Sequence, residues 1–103
     1  MPSAAQVDAA VVAFTMLADP TRLRLLWLLG ASDYDVTTLA RLTDAPIAAT
    51  SQHLAKLRLT GLVKARREGR RQIYAARDSH VRDLVREALH HADHKTSGHP
   101  DHL

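Results

Sequence analysis

Apolar residues recur at helical spacing in four successive segments, which predict helices over residues 5–17, 21–30, 36–43 and 47 to about 60. Local signals mark their ends. Asp19-Pro20 is typical of an N-cap followed by proline at the first helical position. Gly30 and Gly61 are expected to end the second and fourth helices. Asp44-Ala45-Pro46 predicts a tight turn between the third and fourth helices.

The pattern then changes from helical spacing to short strands. Residues 62–66 and 72–76 flank Gly69 and predict a two-stranded hairpin rich in basic side chains. The preceding helix, 47–60, has two distinct faces. One face carries Ile47, Thr50, Leu54 and Leu57, and the opposite face carries Ala49, Gln52, His53 and Lys56.

Two short helices joined by a tight turn and followed by a basic hairpin indicate a winged helix-turn-helix. We therefore predict a mainly α fold with five helices and a two-stranded wing. The fourth helix fits a DNA major groove, and the wing reaches the backbone or minor groove beside it. The predicted DNA-contacting residues are Ala49, Ser51, Gln52, His53, Lys56, Arg66, Arg67, Arg70 and Arg71.

A fifth helix is predicted from Ser79 to about His94, with an unbroken apolar stripe along one side. In so small a domain this stripe packs either on its own core or on a second copy of the chain, and its length favours a homodimer. The predicted interface residues are Val81, Leu84, Val85, Ala88 and Leu89, together with part of the first helix. Residues 1–95 thus form the DNA-binding and dimerisation domain, and residues 96–103 a flexible tail that contains histidines.

Composition and charge narrow the function. The chain has 103 residues, a net charge of +3 and no cysteine. Residues 56–71 hold seven basic residues against one acid, which suits a polyanionic partner, although a solvated hairpin would have the same composition. No apolar run approaches the roughly 20 residues of a membrane span, and no secretory signal is visible. We expect a cytoplasmic protein that is not an enzyme, because no nucleophile is paired with a base.

The last helix also carries candidate metal ligands. Asp78-Ser79-His80 is followed, after ten residues, by His91-Ala92-Asp93-His94. His80, His91 and His94 share one helix face, but His80 and His91 are roughly 16 Å apart along the axis. One ion cannot bridge that distance. Two antiparallel copies of the helix would bring Asp78 and His80 of one chain to His91 and His94 of the other. The alternative is that the histidine-rich C-terminal end of the chain is exposed to solvent and binds no metal.

Three motifs together resemble the ArsR/SmtB family of metal-responsive repressors: residues 17–26 (LADPTRLRLL), residues 51–57 (SQHLAKL), and residues 60–63 (TGLV) with the wing at residues 69–74 (GRRQIY). The resemblance covers about residues 5–94. It implies a divalent transition metal at Asp78, His80, His91 and His94, with nickel favoured and cobalt or zinc as the other candidates. It also implies that the metal-free dimer binds a palindromic double-stranded operator and that the metal-loaded dimer releases it.

Two departures from the family limit what carries over. The third helix, 36–43, lacks the cysteines of the family's other common site, which excludes arsenic, cadmium or lead sensing there. The N-terminal segment, Met1-Pro2-Ser3-Ala4, has no side chain suited to bind the metal. His99 and His102 are therefore the remaining candidates to complete a six-coordinate metal site. The alternative function is a DNA-binding subunit that acts with a separate co-regulator protein and has a vestigial metal site. A small metal-buffering protein would leave the basic wing unexplained.

Overall fold

The computed structural model describes residues 1–96, with the side chains of residues 1–93. In this part the chain forms the predicted winged helix-turn-helix with five helices, and none of them is long and apolar enough to cross a membrane. The helices are α1 (Ala4–Leu17), α2 (Pro20–Ala31), α3 (Val36–Thr43), α4 (Ile47–Leu59) and α5 (Ser79–Thr96). The strands are β1 (Tyr34–Asp35), β2 (Val63–Glu68) and β3 (Arg71–Ala76).

Side-chain caps determine where α2 and α3 begin. Asp19 and Asp35 each accept a hydrogen bond from the backbone N–H three residues later, at 2.9 Å in both cases. Pro20 occupies the first turn of α2, where its missing N–H removes no helical hydrogen bond. Gly61, at φ 81°, follows α4 in the left-handed conformation that its position predicts. The sequence therefore identified these boundaries correctly.

Gly30 does not end α2, contrary to the sequence-based expectation. The helix continues to Ala31, and Ser32 caps it by donating its N–H to the Leu28 carbonyl. A Cβ atom at Gly30 would lie only 3.3 Å from Cγ of Arg82 on α5. Gly30 is thus a packing residue that lets α5 approach α2 closely.

The core surrounds α2, which contacts all four other helices and β3. Leucines dominate it, as expected for a chain in which only 4% of the residues are aromatic. Its fully buried side chains include Leu25, Leu26, Leu29, Leu39, Leu54, Leu57, Val63 and Val85. This packing fixes the recognition candidate α4 and the last helix α5 relative to one another through α2.

The sheet has one more strand than the sequence predicted. β1 pairs antiparallel with β3, so that the strand order is β1-β3-β2. The hairpin strands also extend further than expected, and Glu68 pairs with Arg71 across a turn in which Gly69 has φ 62°. Only Gly69 and Arg70 therefore lie between the two strands of the wing.

Candidate nucleic-acid interface and metal-ligating residues

Helix α4 presents a polar face because its opposite face is anchored in the core. Thr50, Leu54 and Leu57 are buried, and the Thr50 hydroxyl donates to the Pro46 carbonyl at 2.9 Å. Ile47, which the sequence pattern assigned to the buried face, is instead about half exposed in the first turn. Of the predicted DNA-contacting residues on this helix, Ser51, Gln52 and Lys56 are exposed and Ala49 is half-buried.

His53 is placed differently from its predicted neighbours. Only 23% of its side chain is exposed, and its Nδ1 lies 4.0 Å from Oδ2 of Asp19 at the start of α2. That nitrogen is closed to solvent and has no hydrogen-bond partner among the described residues. The imidazole is therefore directed partly into the protein, between α4 and α2, rather than simply outward with Gln52.

The Asp19 carboxylate opposite His53 is held in its charged form. The Arg22 backbone N–H, which donates to it, lowers the pKa of Asp19, and the nearby charges of His53 and Arg22 lower it further. A pKa below that of the unfolded chain means that the ionised carboxylate stabilises the fold at neutral pH. This contribution is lost as the pH falls through the folded-state pKa.

Two of the four wing arginines are paired with carboxylates. Arg66 donates to Asp33 at 2.6 Å and to Glu68 at 2.7 Å, and Arg71 donates to Asp35 at 2.9 Å. The contacts with Asp33 and Asp35 tie the wing to the segment that precedes α3. The carboxylates of Asp33 and, to a smaller extent, Glu68 raise the pKa of the Arg66 guanidinium.

The other two wing arginines are not paired. Arg67 and Arg70 are exposed, and neither has an ion pair within the described part of the chain. Arg67 also alternates with Arg66 along β2 and so points to the opposite face of the hairpin. Within the described part of the chain, Arg67 and Arg70 are therefore wing cations without a carboxylate partner, whereas carboxylates already neutralise Arg66 and Arg71.

The candidate metal ligands lie at the two ends of α5. Oδ1 of Asp78 accepts the Val81 N–H at 3.1 Å and so caps the helix. His80 and His91 are exposed, eleven residues apart on one continuous helix, and the His94 side chain lies outside the described residues, as do His99 and His102. Among the described side chains of a single chain, no three ligand-type residues come close enough to hold one ion.

The apolar stripe of α5 divides into a buried part and an uncovered part. Val81 and Val85 pack in the subunit's own core, and Val85 is only 2% exposed. Both were assigned from the sequence to the dimer interface, and their burial within one chain leaves almost no surface for a partner. Leu84 and Leu89 are half-buried and Ala88 is exposed.

Helix α1 exposes a larger apolar surface than α5. It has no buried residue, and its exposed side chains include Val7, Val11, Val12 and Phe14, the last at 60%. Apolar side chains in such number on one short helix indicate an interaction surface. Part of this helix belongs to the dimer interface predicted from the sequence.

Three carboxylates that contact predicted DNA-binding residues were not assigned to the site from the sequence. Asp33 and Asp35 hold wing arginines, and Asp19 faces His53. The sequence identified Asp19 only as a helix cap. The pairing of β1 with β3, which brings residues 34–35 to the wing, leaves no signal in so short a strand.

Comparison with known proteins agrees with this architecture. The family model for the bacterial regulatory protein, arsR family, matches residues 19–65. The HTH-type transcriptional regulator KmtR of Mycobacterium tuberculosis is 43% identical over 97 residues, which cover 94% of this chain and 75% of that protein. The chain belongs to the ArsR family of bacterial transcriptional regulators.

Two further relatives resemble the chain closely. A transcriptional repressor SmtB homolog from Synechocystis is 42% identical over 78 residues, covering 76% of this chain and 59% of that protein. The homodimeric winged helix-turn-helix domain of Mb0332 from Mycobacterium bovis superposes with a TM-score of 0.86 at 33% identity. The match covers 94% of this chain and 90% of that one. Because the family consists of DNA-binding regulators, the chain is a transcription regulator and not an enzyme.

Proposed function

We propose that this chain is a homodimeric repressor that binds a palindromic operator and releases it when a divalent transition metal binds between its subunits. The observation that carries the proposal is the distribution of ligands on α5. Asp78 and His80 lie at its start and the exposed His91 lies three turns later, too far away to share an ion within one chain. Two antiparallel copies of α5 would join these ends.

The exposed face of α4 and the wing would form the DNA interface. Ser51, Gln52 and Lys56 offer hydroxyl, amide and ammonium groups, which read base edges or bind phosphates. Ala49 is small enough for close approach to a base, and the guanidinium groups of the wing suit the phosphate backbone. The proposed contacts on the wing are those of Arg66, Arg67, Arg70 and Arg71.

Dimerisation would cover α1 and the outer side of α5. Helix α1 exposes three valines and Phe14, and α5 leaves Leu84 and Ala88 uncovered by the core. The similar domain from Mycobacterium bovis is a homodimer. Because a twofold axis relates the two subunits, a palindromic operator would match the pair of α4 helices.

The residues on α5 fit a nitrogen- and oxygen-ligated metal. Asp78 uses one carboxylate oxygen as a helix cap, which leaves the other available as a ligand, and His80 and His91 are accessible at the surface. Imidazole and carboxylate donors suit nickel, cobalt and zinc. We favour nickel, with His94 as the fourth ligand. An ion bound by both chains would fix the angle between the subunits and hence the spacing of the α4 helices.

A metal titration of operator binding tests this function directly. The DNA probe is a duplex that the metal-free protein itself selects from a random-sequence library. Nickel, cobalt or zinc should weaken binding about 5- to 150-fold, the range expected for a coupling of about 1–3 kcal/mol. In a His80→Ala control, metal-free binding should be unchanged and the metal response lost. If none of the three metals changes the operator affinity, the result would instead favour the alternative function, a DNA-binding subunit that acts with a separate co-regulator protein.

The ion pairs of Arg66 and Arg71 predict that two double variants, each of which removes two positive charges from the wing, differ in the salt dependence of DNA binding. Arg67→Ala/Arg70→Ala should reduce the salt dependence of DNA binding by about 0.9 units of slope per lost phosphate contact, close to 2 in total. Arg66→Ala/Arg71→Ala should reduce the slope by less, because carboxylates already neutralise these side chains and fewer counterions are released. The measurement is affinity for the selected duplex across a salt series. An unchanged slope in Arg67→Ala/Arg70→Ala would exclude the wing from the interface.

A further inference from the structure

The contact between His53 and Asp19 belongs to a polar connection that runs from α1 to α4. Asp19 begins α2 and accepts the Arg22 N–H, which fixes its carboxylate. The Arg22 side chain donates from Nε to the Met16 carbonyl at 2.8 Å and from Nη2 to the Thr15 carbonyl at 3.3 Å. The last turn of α1, the first turn of α2 and the middle of α4 are therefore linked through three side chains.

One ring nitrogen of His53, Nδ1, is not available for reading DNA. This atom is closed to solvent, so no base or phosphate can reach it while the protein keeps this structure. A separation of 4.0 Å exceeds hydrogen-bond length but lies within ion-pair distance of Asp19. Gln52, the adjacent residue in the chain, is exposed and has no such constraint.

We propose that His53 is a positioning residue, which sets the orientation of α4 on α2 through Asp19 and leaves base reading to Gln52 and Lys56. This inference rests on the proposed function of α4 as the recognition helix. It assigns to Asp19, beyond its role as a helix cap, a second role in DNA recognition. Through Arg22, the same contact connects the recognition helix to α1, the helix that we propose covers the dimer interface.

The test uses substitutions that separate the two ring nitrogens. In His53→Asn the side-chain amide occupies the place of Nδ1, whereas in His53→Gln it extends towards the place of Nε2. We expect His53→Ala and His53→Gln to bind the selected duplex about 10-fold more weakly, as is typical for loss of a polar contact with a charged group. His53→Asn should remain within about 3-fold of the unchanged protein. The salt slope should stay constant in all three variants, because no phosphate contact is removed.

Asp19→Asn provides the matched partner variant, since asparagine caps a helix as well as aspartate does. It should weaken binding about as much as His53→Ala, and the double variant should be no weaker than either single variant. Circular dichroism identifies any variant that has lost its fold. If an alanine or glutamine variant does not fold, His53→Asn and Asp19→Asn still test the inference.

Two results would overturn the inference. A salt slope reduced by about one unit in His53→Ala would identify a phosphate contact. Additive effects of Asp19→Asn and His53→Ala, or no effect of either, would show that the two residues are not coupled. Gln52→Ala distinguishes these results from failure of the proposed function. It should reduce discrimination between the selected duplex and an unrelated one, and if it does not, α4 is not the recognition helix.

Discussion

A His80→Ala subunit combined with a His91→Ala subunit is expected to regain one complete metal site in each heterodimer. Each homodimeric variant lacks one ligand in both of its sites. In the heterodimer both substitutions fall in the same site, so the other site keeps all four residues. Loss of a residue that only hydrogen-bonds to a metal ligand already costs about 10- to 100-fold in metal affinity, so the homodimers, which lack a ligand itself, should lose about 100-fold or more.

The measurement is nickel binding to heterodimers isolated with two different affinity tags. His90→Ala is the matched control, because His90 lies about 100° around the helix from His91. It should bind nickel like the unchanged dimer. Failure of the heterodimer to bind would exclude an intersubunit site. If His80→Ala kept full affinity while removal of residues 96–103 abolished it, the tail would be the metal-binding segment and the proposed sensing mechanism would be wrong.

Leu84→Glu is expected to separate the dimer into folded monomers. Leu84 lies on α5 outside the core that contains Val81 and Val85, so a charge there should not unfold the subunit. In a symmetric interface the substitution buries two unpaired carboxylates, at a cost of at least about 3 kcal/mol. This weakens association by about 100-fold or more. Sedimentation over a concentration series measures the change.

Leu59→Glu is the control for this charge, because Leu59 is 88% exposed at the end of α4, where it lines a shallow surface pocket with Gln72 and Tyr74 of β3. It should leave the dimer intact. Phe14→Glu on α1 provides a second test of the same interface and should also dissociate the dimer. An intact dimer in both Leu84→Glu and Phe14→Glu would mean that neither α1 nor α5 forms the contact between subunits.

The sequence determined the order, type and approximate ends of the five helices and both wing strands. The reason is that helix caps, proline at the first turn and left-handed glycines act within a few residues. Thr50, Leu54 and Leu57 were predicted correctly as the buried face of α4, because their spacing alone requires a shared face. The pattern that predicts DNA binding, two short helices followed by a basic hairpin, is also formed by residues close together in the sequence.

Only the tertiary structure decided what each exposed or apolar side chain meets. Periodicity shows that Val81, Leu84 and Val85 share a helix face, but not whether α2 or a second chain covers them. Likewise it grouped His53 with Gln52, although the N-terminus of α2 lies beside one and not the other. Gly30 serves the approach of α5, and β1 exists only because β3 pairs with it. These features depend on contacts between residues that are distant in sequence. A local pattern of spacing or charge does not show which distant residues come into contact.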